Sequence, residues 1–343
     1  MEHKKSYSPI GTFLILTAAF VVVVAGMKSA QALVVPFVFS IFVSVISAPP
    51  LFWLTSRKVP TGVAIGILLC ALVFISLLIG ALVGTSIQDF SEAAPEYQEK
   101  LSVATEKFIH KLESSGIDLP DRQLKDYLNP GAALKLTANA FTELSGLLGD
   151  AFLILLTVAF MLVEASSFSK KINAIGGASQ AVEKFSESLK SYFAIKTLMS
   201  LVTAFFIWVV LIAFGVDFSL LWALLAFLLN FIPTIGSIIA AIPAVLLALI
   251  QIGPVAAGII LLNYILVNTV VGNIIEPKYM GKGLGLSALV VFLSLVFWGW
   301  VWGPIGMLLS VPLTVVVKIA LESFEESRHL AVMLGSDVEV EDA

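Results

Sequence analysis

Residues 218–250 read FSLLWALLAFLLNFIPTIGSIIAAIPAVLLALI, and their length decides the fold. An apolar run of 33 residues is too long for one membrane span of roughly 20 residues and too short for two. It is broken near its middle by Pro233-Thr234-Ile235-Gly236. Residues 284–317, LGLSALVVFLSLVFWGWVWGPIGMLLSVPLTVVV, repeat the anomaly, with Gly303-Pro304-Ile305-Gly306 at the break. A break at membrane depth leaves N–H and C=O groups that lipid cannot satisfy. Such breaks persist where protein buries them or where they line a wet cavity. Paired interrupted segments of this kind point to the substrate path of a transporter.

The rest of the composition agrees. Hydrophobic residues make up 59% of the chain, charged residues 13%, and the mean hydropathy is +1.00. A soluble domain carries about 25% charged residues, so the chain reads as an all-α polytopic membrane protein in contact with a lipid bilayer. The single cysteine, Cys70, excludes a disulfide framework. Lys4 and Lys5 before an apolar run, with Ala30-Gln31-Ala32 after it, have the outline of a secretory signal. The run is longer than the usual signal core and further spans follow at once, so it is read as a retained first span.

Apolar segments fall at 10–27, 33–54, 63–84, 146–163, 198–214, 218–250, 255–271 and 284–317. Each limb of the first stretch has about 14 residues and reaches roughly 21 Å, short of a hydrocarbon core of about 30 Å. The two broken stretches are therefore expected to be re-entrant hairpins beside six full spans. With the N-terminus inside, Lys4, Lys5, Arg57, Lys58, Lys170, Lys171, Lys184, Lys190, Lys196, Lys278, Lys282, Lys318 and Arg328 fall on the cytoplasmic side, as the positive-inside rule requires. The first hairpin then enters from outside and the second from the cytoplasm, an arrangement that suits alternating access. The expected organisation is transmembrane helices 1–3 over 1–85 and an extracytoplasmic amphipathic helical region over 86–145. Helices 4–6 and both hairpins occupy 146–320, and 321–343 is a cytoplasmic tail.

No His/Cys cluster, phosphate loop or Gly-x-Ser-x-Gly elbow is present, so neither an enzyme nor a metal or other cofactor is expected. Nor is a nucleic-acid partner. What remains are polar groups inside apolar helices. Asn230, Thr234 and Ser237 surround the first break with Pro233 and Gly236, and the tip is expected to present main-chain dipoles beside an amide and two hydroxyls. That chemistry suits a small, uncharged, hydroxyl-rich solute. In an α-helix Thr269, Gly272, Asn273 and Glu276 share one face, while Asn263 and Asn268 lie on others. Glu276 reads either as a coupling or gating carboxylate or as a partner of Lys278 or Lys282 at the membrane edge. Lys196, Ser200 and Thr203 form a further stripe. A positive-inside anchor with hydroxyls bonded to their own helix is its simplest reading, and Lys196 is retained with Glu276 as a coupling or gating candidate. Gly303, Pro304 and Gly306 complete the expected solute path at the second break.

These residues carry a resemblance. The block 230–237, Gly272-Asn273-Ile274-Ile275-Glu276-Pro277, Met280-Gly281-Lys282-Gly283-Leu284-Gly285-Leu286, Phe297-Trp298-Gly299-Trp300, Gly303-Pro304-Ile305-Gly306-Met307 and Val311-Pro312-Leu313-Thr314 are similar to the autoinducer-2 exporter family of bacterial membrane proteins. The resemblance implies export of autoinducer-2, a small polar quorum-sensing signal, across the bacterial inner membrane without ATP, with both termini cytoplasmic. It also implies a homo-oligomer, a pentamer being the expected state. Two other readings stay open: a monovalent cation/proton antiporter, motivated by Glu276, and a non-transporting membrane scaffold that docks partners through 86–145.

Overall fold

The computed structural model describes residues 9–114, 149–175, 179–233, 235–280, 285–322 and 327–335, together with positions 138, 142 and 146. Among them every regular element is helical, the outcome expected where lipid leaves the backbone to satisfy itself. By length and composition five stretches can cross a membrane: Gln31–Ser56, Thr61–Lys100, Lys190–Ala213, Pro254–Tyr279 and Ala288–Glu322. Shorter apolar helices cover Phe13–Ser29, Ala151–Glu164, Ser219–Leu229 and Ile235–Gln251.

The chain divides into two compact units, Val43–Gly285 and Met1–Phe42 with Leu286–Ala343. The helix Gln31–Ser56 (α2) passes from one to the other. In the larger unit, α3 (Thr61–Ser114) is a single helix of 54 residues, about 81 Å long. It runs unbroken through the expected boundary at 85/86 and across Pro95. The turn that Asn129-Pro130-Gly131 predicts lies outside the described residues. Next come α4 (Ala151–Ile175), α5 (Ser179–Ala213), α6 (Ser219–Leu229), α7 (Ile235–Gln251) and α8 (Pro254–Val267). From α8 the chain continues as a π-helical segment over Asn268–Ile275 and then α9 (Glu276–Met280).

The stretch 218–250 folds back on itself. Its flanking residues meet, the Asp217 N–H donating to Gln251 Oε1 at 3.1 Å. Limb α6 packs against α5, α7 and α3, with Leu221 and Trp222 at or below 1% exposure. Gly236 lets the limbs close: a Cβ there would lie 1.8 Å from the Leu229 carbonyl oxygen.

The other unit holds α1 (Pro9–Ser29), α10 (Ala288–Glu322) and the short α11 (Arg328–Met333). Helix α10 is broken at Trp302 and Gly303, whose φ of 65° and ψ of −147° suit glycine alone. The chain folds back here too. Trp298 Nε1 donates to Thr314 Oγ1 at 3.1 Å, although 16 residues of straight helix would separate them by about 24 Å. Gly306 repeats the role of Gly236, since a Cβ on it would sit 2.0 Å from the Trp298 carbonyl oxygen.

The two turns differ in depth within their units. At the first, Asn230 bonds Ser200 near the middle of the apolar part of α5. At the second, Trp302 Nε1 donates to the Met27 carbonyl and Lys28 stacks on Trp300, both at the last turn of α1. Phe297 meanwhile stacks on Phe20, so residues 288–301 run beside α1 in the same direction. The second turn thus reaches as far as α1 does. Its returning limb, 304–322, has 19 residues, or about 28 Å.

Candidate functional site

Polar side chains converge where the first turn meets α5. Lys196, Ser200 and Thr203 face inward on α5 at helical spacing, and all three are buried. Asn230 Nδ2 donates to Ser200 Oγ at 2.9 Å. One turn along α5, Lys196 Nζ lies 2.6 Å from Glu276 Oε1. Lys196 is 6% exposed and Glu276 8%. Lys196 is therefore no interfacial anchor, Glu276 pairs with it rather than with Lys278, and Ser200 serves Asn230 as an acceptor, while Lys282 lies outside the described residues. Removing one partner of such a buried pair costs about 3–5 kcal/mol.

The carboxylate is half satisfied. Among the described residues Glu276 Oε2 is buried with no partner, as are Thr197 Oγ1, Asn263 Nδ2 and the Tyr264 hydroxyl. All four belong to α5 or to the 254–280 helix packed against it. Buried unpaired polar atoms cost about 1–3 kcal/mol each, so this seam is polar beyond the needs of packing.

The π-helical segment alters the expected register. Its i→i+5 bonding widens each turn, so Thr269, Asn273 and Glu276 no longer share a face. Thr269 and Asn273 are exposed, Gly272 is half-buried and Glu276 points inward. Short π-helical insertions are frequent at functional sites.

At the tip, the N–H groups of Phe231, Ile232, Ile235 and Gly236 all donate within the turn, to Leu228, Leu229, Pro233 and Ile232 carbonyls. Among the described residues the tip therefore presents the Asn230 side chain, while these four main-chain donors are taken up within the turn. Pro233 and Ser237 are half-buried and Gly236 is buried, while Thr234 lies outside the described residues. Gly303, Pro304 and Gly306 form the turn of the other unit: Pro304 is exposed, Gly303 half-buried and Gly306 buried.

The mouth of the first hairpin carries a second polar cluster. Tyr97 on α3 donates its hydroxyl to Asp217 Oδ2 at 2.7 Å, and Gln251 Nε2 donates to the same oxygen. Trp222 Nε1 donates to the Asp217 carbonyl at 3.0 Å. The sequence pattern singles out neither Tyr97 nor Gln251 as a site residue. The available signal was position, since Asp217 and Gln251 bracket the apolar stretch.

Fold and site together define a multi-pass helical membrane protein with a buried polar seam beside a broken helix pair, the build of a transporter. The chain belongs to the AI-2E transporter family, whose model matches residues 13–326. It is 39% identical to the AI-2 transport protein TqsA of Escherichia coli (strain K12) over 326 residues, covering 94% of this chain and 95% of that one. A putative transport protein of Haemophilus influenzae is 37% identical, covering 94% and 95%. The putative transport protein YhhT of Escherichia coli (strain K12) is 35% identical, covering 94% and 93%.

Proposed function

We propose that the protein is a secondary exporter of autoinducer-2, or of a solute of the same small, hydroxyl-rich kind, across the bacterial inner membrane. The observation that carries this is the buried seam at the first turn, where Asn230 and Ser200 bond each other one helical turn from Lys196 and Glu276. A bond between two neutral groups is readily exchanged for bonds to solute hydroxyls, because both arrangements satisfy the same donors and acceptors. The name of the TqsA relative supports the substrate, and the family supports transport over a docking scaffold.

In this reading the hairpin 218–250 is re-entrant and moves as a gate, with both chain termini in the cytoplasm. Asn230, Thr234 and Ser237 contact solute, and Pro233 and Gly236 shape the tip. Thr269 and Asn273 extend the path along the π-helical segment. Gly303, Pro304 and Gly306 form a second turn that reaches the outer surface. Lys196 and Glu276 gate the seam. The exposed apolar faces meet lipid and neighbouring copies in a homo-oligomer, for which a pentamer is proposed. Uptake of labelled autoinducer-2 into proteoliposomes tests the function. Protein-dependent flux is expected, and flux equal to that of empty vesicles would remove the proposal.

A further inference from the structure

We propose that Glu276 is a proton-binding site and that solute leaves in exchange for a proton taken up there. This rests on the export reading and supplies its driving force. Among the described residues Glu276 is the buried carboxylate and Lys196 the buried cation, and they are paired with each other. A pair placed for stability alone has both carboxylate oxygens satisfied, because an isolated buried charge is costly. Here Oε2 has no partner among the described residues, so one acceptor position on the carboxylate is unclaimed by them.

The surroundings suit an exchange of charge. Among the described side chains of α5, the ionisable groups facing Glu276 are Lys196 and Tyr192, the latter buried and within electrostatic reach of the carboxylate. On its own element Lys278 and Tyr279 are exposed. Tyr192, Lys196, Ser200 and Thr203 lie at i, i+4, i+8 and i+11 on one buried face of α5. That stripe extends about 16 Å along the helix, from the carboxylate past the Asn230 tip. When a proton from the outer medium binds Oε2, Glu276 becomes neutral and Lys196 loses its counter-ion. The polar contact one turn below the Ser200–Asn230 bond is then weakened, and the tip is freed. Loss of the proton to cytoplasmic water restores the pair. No other bond forms or breaks.

Two measurements test this on the purified full-length protein. In infrared difference spectra, acidification should produce a protonated-carboxyl band that is absent in Glu276→Gln and returns, shifted, in Glu276→Asp. A band unchanged in Glu276→Gln, or no band in the wild type, overturns the proton site whatever the solute is. In proteoliposomes, a gradient of one pH unit should accumulate labelled autoinducer-2 about tenfold on the acidic side for one-to-one exchange. In Glu276→Gln the accumulation ratio should fall to one. The double variant Lys196→Gln/Glu276→Gln leaves no unpaired buried charge, so it keeps the test readable if the single variant fails to fold. Accumulation that follows the pH gradient in the double variant overturns the exchange. Absence of all protein-dependent flux removes the export reading and the exchange together, and the infrared result still decides the proton site.

Discussion

Replacing Gly236 by alanine adds one methyl group at the point where the two limbs of the first hairpin touch. The new Cβ would lie 1.8 Å from the Leu229 carbonyl oxygen and 2.7 Å from its carbon. A carbon–oxygen contact settles at about 3.3–3.6 Å, so the limbs must separate by about 1.5 Å. The colliding atoms are backbone, and no side-chain rotation relieves them. Overpacking costs about 1–3 kcal/mol and occasionally more, and this geometry puts Gly236→Ala at or above the top of that range. Gly258, in α8, is the control: a Cβ there meets nothing within 4 Å. Gly258→Ala should therefore gain about 0.8–1 kcal/mol of helix propensity. Thermal unfolding of the purified variants, followed by size-exclusion fluorescence, should show a fall for the first and no fall for the second. If Gly236→Ala unfolds at the wild-type temperature, the limbs are not in contact and the hairpin geometry is wrong.

Other expectations rest on the same contacts. Gly306→Ala meets the Trp298 carbonyl oxygen at 2.0 Å, and in the same thermal assay it should lose stability comparably with Gly236→Ala. Lys196→Met strands a buried carboxylate and should cost about 3–5 kcal/mol, whereas Lys196→Met/Glu276→Met should recover most of that; a double-mutant cycle on unfolding midpoints separates the two. Tyr97→Phe removes a hydrogen bond to a charged acceptor at the hairpin mouth and should cost about 1.5–3 kcal/mol, with faster proteolysis near Gln251 as the readout.

Much of this was legible in the sequence, for physical reasons. Apolar length and the Pro/Gly interruptions locate both breaks, because lipid leaves the backbone no other partner. Asn230 stands out because an amide inside an apolar helix is costly unless used. The pairing of Lys196 with Glu276 was not legible. The two are 80 residues apart, nearer cations sit at Lys278 and Lys282, and only packing of α5 against the 254–280 helix selects the partner. The π-helical segment was also hidden, since a change of helical period carries no signature in residue type. Nor did the similar tips of the two stretches reveal their different depths. Those depend on the neighbours beside each turn, Ser200 on α5 in one case and Met27 on α1 in the other.

The gate itself can be tested with a reversible cross-link. In a Cys70→Ser background, Ser200→Cys and Asn230→Cys place two thiols where the tip touches α5. A short reducible thiol cross-linker then ties the turn to the helix, and flux of labelled autoinducer-2 is measured on the same vesicles before and after reduction. If the tip must leave α5 for solute to pass, flux is lost on cross-linking and returns on reduction. Undiminished flux through fully cross-linked protein would show that solute crosses elsewhere.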